Sequence, residues 1–194
     1  MAWGLGSSST LYSLVAGWAG VQAYDLFRMI SQGSGYDIAC TGRAGLLYYQ
    51  LRKGRPEITT AQAGKALREH TYFAYLGSKQ DTNKEVDAFL SRQNYSDIDL
   101  VEVSRLSSSI CEAGSADDLI RYVNEHEFIL STILKREPIA SRFSSFHGTV
   151  KSLGAWGGDF AMFVSGMEPE AVINHLHGLG FVKIFQYNDL EIKT

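Results

Sequence analysis

The chain has little of what would tie its fold to covalent cross-links or metal. Of its 194 residues only Cys40 and Cys111 are cysteine; they lie far apart and no CxxC pair occurs. That argues against a disulfide framework or a structural zinc site, and makes a reducing cytoplasm the expected setting. The five histidines form no metal-ligand pattern: the closest pair, His175 and His177, is spaced by two, which on a helix points the rings apart. No apolar run approaches the roughly 20 residues that span a bilayer, and Met1-Ala2-Trp3-Gly4 lacks the basic region of a signal peptide. Basic charge is not in excess either. A formal net charge of -3 argues against nucleic acid as a partner. It leaves open a single anionic ligand, which backbone N–H groups can hold without net positive charge.

What is present is glycine in three organised places. The first is Gly4-Leu5-Gly6-Ser7-Ser8-Ser9, which runs into a helical pattern with Leu11, Leu14, Val15, Trp18, Val21, Leu26 and Ile30 on one stripe. Ser7 to Ser9 are N-cap candidates for it. The second, Gln32-Gly33-Ser34-Gly35, breaks that helix and leads into Tyr36-Asp37-Ile38-Ala39-Cys40. The third is Gly154-Ala155-Trp156-Gly157-Gly158, between two apolar segments at 150–153 and 160–165.

Between these loops the pattern alternates strand and helix. Residues 45–51 read as a strand, Lys53-Gly54-Arg55-Pro56 as a turn, and 57–60 as the returning strand of a hairpin. Residues 61–69 lack periodicity and read as a linker. Residues 71–76 are an aromatic-rich strand, followed by helices over about 84–92, 98–113 and from Ser115 to the stop at Pro138. Asp117 and Asp118 suit the first turn of the last one. Residues 141–149 read as a short helix. Pro169 and Gly180 bracket a further helix, and 181–187 is the last strand. The second half therefore predicts an α+β layer of helices on an antiparallel sheet.

Each glycine segment has two readings when taken alone. Gly4 to Ser9 can be a flexible Gly/Ser terminus, or a loop that lets backbone approach a phosphate at a helix N-terminus. Asp37, just after a tight turn, can cap the short helix that follows. It can also take a proton from a substrate hydroxyl. Gly154 to Gly158 can be a wide hairpin turn or a place where backbone meets a ligand.

In this order the three segments resemble the GHMP kinase superfamily, which includes galactokinase, homoserine kinase, mevalonate kinase and phosphomevalonate kinase. Gly4 to Ser9 resemble its phosphate loop. Ser34-Gly35-Tyr36-Asp37 resemble the Ser-Gly-x-Asp segment of the mevalonate kinase branch, and Lys151 to Gly158 its late Gly-Ala-x-Gly-Gly loop. Gly35-Tyr36-Asp37-Ile38-Ala39 is similar to the GYDIA string of a bacterial subgroup. The resemblance implies a two-domain α+β fold. Residues 1–68 would be the remainder of a nucleotide-binding domain like domain 2 of ribosomal protein S5. Residues 69–194 would be a ferredoxin-like α+β domain.

It also implies roles. Gly4, Leu5, Gly6, Ser7, Ser8 and Ser9 would cradle the phosphates of ATP, with Ser8 facing Mg²⁺ and Ser7 or Ser9 as alternates. Asp37 would be the base or hydroxyl-orienting group. Ser34, Gly35 and Tyr36 would line the acceptor pocket. Gly154, Ala155, Trp156, Gly157 and Gly158 would close on the substrate and phosphate side. Tyr75 to Thr82 stand where that branch has a strand and a Thr-containing segment near the substrate. The acceptor would be a small hydroxyl compound, mevalonate-like acids first.

The pattern also departs from the family. Leu26 occupies the place of a second Mg²⁺-binding Glu, leaving Asp25 as a weak substitute, and Trp156 stands where a small residue is common. The expected strand before the phosphate loop is absent, which predicts a late start and an exposed apolar face on the Leu11–Ile30 helix, with self-association as a consequence. Two competing functions follow: a non-catalytic nucleotide- or metabolite-binding fragment, and a ferredoxin-like interaction domain whose glycine loops are only turns.

Overall fold

The computed structural model describes residues 6–31, 33–77, 89, 91, 95–154, 156 and 159–190, with the Ser7 side chain left aside. Two compact units divide between Gln62 and Ala63. The first contains α1 (Ser7–Ala19), α2 (Ala23–Ile30), α3 (Tyr36–Cys40) and the strands β1 (Leu46–Arg52) and β2 (Arg55–Ala61).

The expected single helix over Leu11–Ile30 is two helices. Gly20 takes the left-handed conformation after Ala19, and Val21 N–H donates to the Ala16 carbonyl at 3.0 Å, closing α1 in a Schellman-type end. The apolar periodicity continues through the break because α1 and α2 pack on each other, with Tyr12 edge-on to Phe27 at 5.6 Å. The hairpin appears where the sequence places it. β1 and β2 pair antiparallel from Leu46↔Ala61 to Arg52↔Arg55. Lys53 and Gly54, both at positive φ (50° and 75°), form the two-residue loop whose twist suits flanking strands.

The second unit, Ala63–Leu190, holds α4 (Lys65–Glu69), β3 (Thr71–Tyr75), α5 (Asp97–Glu112), α6 (Ala116–Leu134), β4 (Thr149–Ser152), β5 (Phe160–Val164), α7 (Pro169–Gly178) and β6 (Ile184–Gln186). The expected linker over 61–69 is in part α4. Ala66 and Leu67 are buried there, and α4 packs on β3, α5 and α6. The expected helix over 141–149 is instead a 3-10 turn at Ile139–Phe143, and β4 begins at Thr149. The last strand is shorter than 181–187. The expected helix over 84–92 lies mostly outside the described residues. Ser115 caps α6, accepting from Asp118 N–H at 3.2 Å, and Pro169 opens α7.

The four strands pair antiparallel in the order β4-β5-β3-β6. With helices between β3 and β4 and between β5 and β6, this is the βαββαβ arrangement of ferredoxin-like folds. On one face Tyr72, Ala74, Val150, Ala161 and Phe163 meet Val172, Leu176 and Phe181 in the main core. On the other, α6 packs against β4 and β5. All five residues of β5 are therefore buried, and its sequence reads as a continuous apolar run.

Candidate functional site

The phosphate-loop candidate is the start of α1. Gly6 is its N-cap at φ 73°, a left-handed conformation that costs a residue with a side chain strain, and no side chain caps the helix. The first intrahelical bond runs from Thr10 N–H to the Gly6 carbonyl at 2.9 Å. The amides ahead of it carry the positive end of a 13-residue helix dipole. A Cβ at Gly6 would lie 3.2 Å from Ser9 Oγ. Ser9 turns inward, buried at 3% exposure, and its hydroxyl donates to the Gly6 carbonyl at 2.9 Å. Ser8 is exposed. The structure thus separates two of the serines: Ser9 braces the turn and Ser8 faces out. Gly4 and Leu5 lie outside the described residues.

The acidic turn is built from three elements of the same unit. Phe27 is its floor: a Cβ on Gly33 would come within 3.2 Å of the Phe27 ring. Gly35 sits at φ 76°, and a Cβ there would be 2.8 Å from Tyr24 Cε2 and 3.2 Å from Phe27 Cδ1. Only glycine meets both demands. Across the turn, the Tyr49 hydroxyl of β1 donates to the Ser34 carbonyl. Burial, then the neighbouring Tyr24 and the charge of Asp37, push the Tyr49 hydroxyl well above the usual phenol range, so it stays a donor.

Asp37 lies in the first turn of α3 and does not cap it; Gly35 is the N-cap and no side chain bonds there. The Asp37 backbone carbonyl accepts from Thr41 Oγ1 at 3.2 Å. Among the described residues no donor or cation pairs with its half-buried carboxylate. Its charge is felt nearby: burial and then Asp37 raise both the Tyr36 phenol and the Cys40 thiol. Ser34 and Tyr36 are exposed, as is Asp25 in the first turn of α2. α1, α2 and α3 pack together, so the phosphate-loop and acidic-turn candidates share one small framework.

Gly154 to Gly158 belong to the second unit. Gly154 and Trp156 take positive φ (59° and 56°), while Ala155, Gly157 and Gly158 lie outside the described residues. Trp156 is half-buried against the Phe89 ring at 5.4 Å, and Phe89 stacks on Tyr95 at 5.3 Å. Tyr75 to Gly77 are described, and residues 78–82 are not.

The base of this loop holds a buried polar network. Glu127 of α6 is 5% exposed. It accepts from Lys151 Nζ at 3.0 Å, from Ser152 N–H at 3.1 Å and from Ser152 Oγ at 3.0 Å. Lys151 Nζ also reaches His126 Nδ1 at 3.1 Å. The ammonium donates there, so the His126 proton is assigned to Nε2, facing Ser107 Oγ at 3.4 Å. Burial first and Lys151 second lower the His126 pKa to about 4.

Sequence reasoning missed Tyr24, Tyr49, Glu127 and His126. A signal existed for the last two. They fall between Val123 and Leu130 on the apolar stripe of α6, where a charge needs a partner. The two tyrosines are recognisable only once β1 is folded against the turn.

Neither a protein-family model nor a curated protein matches the chain. Solved structures do. The phosphomevalonate kinase of Streptococcus pneumoniae in complex with phosphomevalonate and AMPPNP is similar with a TM-score of 0.71 at 17% identity, over 95% of this chain and 69% of that one. A Lin0012 protein from Listeria innocua gives 0.70 at 19%, over 94% and 66%. The L. major mevalonate kinase in complex with R-mevalonate gives 0.63 at 14%, over 84% and 55%. The chain thus spans about two thirds or less of these proteins. It has their α+β fold, that of the GHMP kinases.

Proposed function

We propose that the chain is part of an ATP-dependent kinase that phosphorylates a hydroxyl of a small metabolite, with mevalonate-like acids the first acceptors to test. The observation that carries this is the start of α1: a glycine in the left-handed conformation, no capping side chain among the described residues, and Ser8 exposed in the first turn. Such an end binds phosphate through N–H groups and dipole, and Gly6 supplies its left-handed start. Gly4, Leu5, Gly6 and Ser7 to Ser9 form the cradle.

Bound ATP would supply the phosphoryl group, with Mg²⁺ offsetting its charge. Among the described residues no group of three His, Cys, Asp or Glu could hold a metal. The exposed Ser8 hydroxyl would complete a Mg²⁺ site made of phosphate oxygens, with Asp25 as the alternate ligand. Asp37, whose carboxylate has no partner among the described residues, orients the acceptor hydroxyl and takes its proton. Ser34, Gly35 and Tyr36 border the acceptor. Gly154 to Gly158, in the second unit, are assigned to a ligand loop by the sequence resemblance alone.

The test is turnover of ATP with mevalonate, phosphomevalonate and homoserine. One of these should be phosphorylated, and Asp37→Asn should lower kcat by about 10²–10⁴-fold while leaving nucleotide binding in place. Turnover unaffected by Asp37→Asn would remove Asp37 from the mechanism. The second reading is nucleotide binding without catalysis; the chain spans 66% and 69% of two of its structural neighbours. It predicts AMPPNP binding with no turnover of any acceptor.

A further inference from the structure

We propose that Glu127 is a positioning residue for the glycine loop after β4, acting through Lys151 and Ser152 and touching no ligand itself. β4 is the edge strand of its sheet, paired only with β5. Its last residue, Ser152, pairs with Ala161 on one side. On the other side its N–H and hydroxyl are both taken by the Glu127 carboxylate. One helical turn earlier, Asn124 of α6 receives the Thr149 hydroxyl at the first residue of β4. The strand is thus pinned to the helix at both ends, which blocks a slip along it, and the exit direction at Ser152 is set by Glu127. Gly154 and Trp156, both in left-handed backbone that strains the tryptophan, follow within four residues.

The donor directions around the pin are fixed. Lys151 donates to Glu127 and to His126. His126 turns its remaining N–H to Ser107, and Ser107 donates to the Val103 carbonyl at 2.8 Å. A buried ion pair is poor at adding stability, since an apolar pair of similar volume often does as well. An apolar pair cannot accept the Ser152 N–H. Holding that amide and hydroxyl is the property that an acceptor at position 127 supplies and an apolar side chain does not. The consequence for catalysis rests on the kinase reading; the positioning of the loop does not.

The experiment uses the full chain with Trp3→Phe and Trp18→Phe, so that Trp156 alone emits. Glu127→Gln keeps an acceptor for Ser152 and strands the Lys151 charge. It should lower the melting temperature while leaving Trp156 emission and acrylamide quenching near the parent. Glu127→Leu with Lys151→Met strands no charge and removes the acceptor. It should keep the melting temperature near the parent while quenching of Trp156 roughly doubles and its emission shifts to the red. A double variant with parent-like Trp156 quenching overturns the proposal, as does a Glu127→Gln variant that releases Trp156 as fully as the double. In a parent that turns over, the double variant should lose about tenfold to a hundredfold in kcat with little change in the KM for ATP. Absence of turnover in the parent would count against the kinase reading, and the Trp156 signal still decides the role of Glu127.

Discussion

At the scale of single residues the candidate site depends on where a side chain is forbidden. Gly35 combines φ 76° with a Tyr24 ring 2.8 Å from where a Cβ would stand. Gly35→Ala should therefore cost about 1–3 kcal/mol and displace Asp37. A urea melt of the variant, read beside the parent, checks the first effect. Thr71 makes the opposite case. It is 1% exposed in β3, and among the described residues its hydroxyl has no hydrogen-bond partner. Thr71→Val keeps the shape and removes a desolvated hydroxyl, so it should stabilise by about 1 kcal/mol, a rise of roughly 2–4 °C in Tm. A thermal melt that moves down would contradict this account of the β3 core.

At the scale of elements, what was legible followed from local chemistry. Lys53-Gly54 announced the hairpin, Ser115 the start of α6, and Pro169 the start of α7, each through residues next to the feature. Gly20 was passed over because the apolar stripe runs on from α1 into α2. α4 was missed because a five-residue helix with only Ala66 and Leu67 buried leaves almost no period. In the site, the glycines and Asp37 could be read from sequence. The Tyr49 hydroxyl on Ser34 could not, since the two lie 15 residues apart and meet through tertiary packing.

α6 carries a pH dependence of its own. The His126 pKa is lowered from 6.5 to about 4 by burial and by Lys151. The unfolded chain therefore binds a proton at this position before the folded one does. Stability is full above about pH 6.5 and falls as pH drops toward 4, by about 3 kcal/mol for a shift of this size. His126→Gln should flatten that part of the denaturation profile between pH 6.5 and 4. An unchanged slope would mean that His126 is not held neutral.

At the scale of the whole molecule, the fold is shared with phosphomevalonate and mevalonate kinases at identities of 14% to 17%. Fold likeness at that level leaves the chemistry to the site, and the proposed site begins with the candidate phosphate loop. The exposed apolar residues of α1, among them Leu11, Leu14 and Trp18, leave that helix with an uncovered face in the chain as it stands. Among the described residues no helix is long and apolar enough to cross a membrane. The most direct test of the central claim is the melting temperature of the chain with AMPPNP and Mg²⁺, beside Gly6→Val. A rise of several degrees at ligand concentrations about a hundredfold above Kd, abolished by Gly6→Val, is the predicted result. No shift in the parent, or an equal shift in the variant, would contradict a phosphate site at the start of α1.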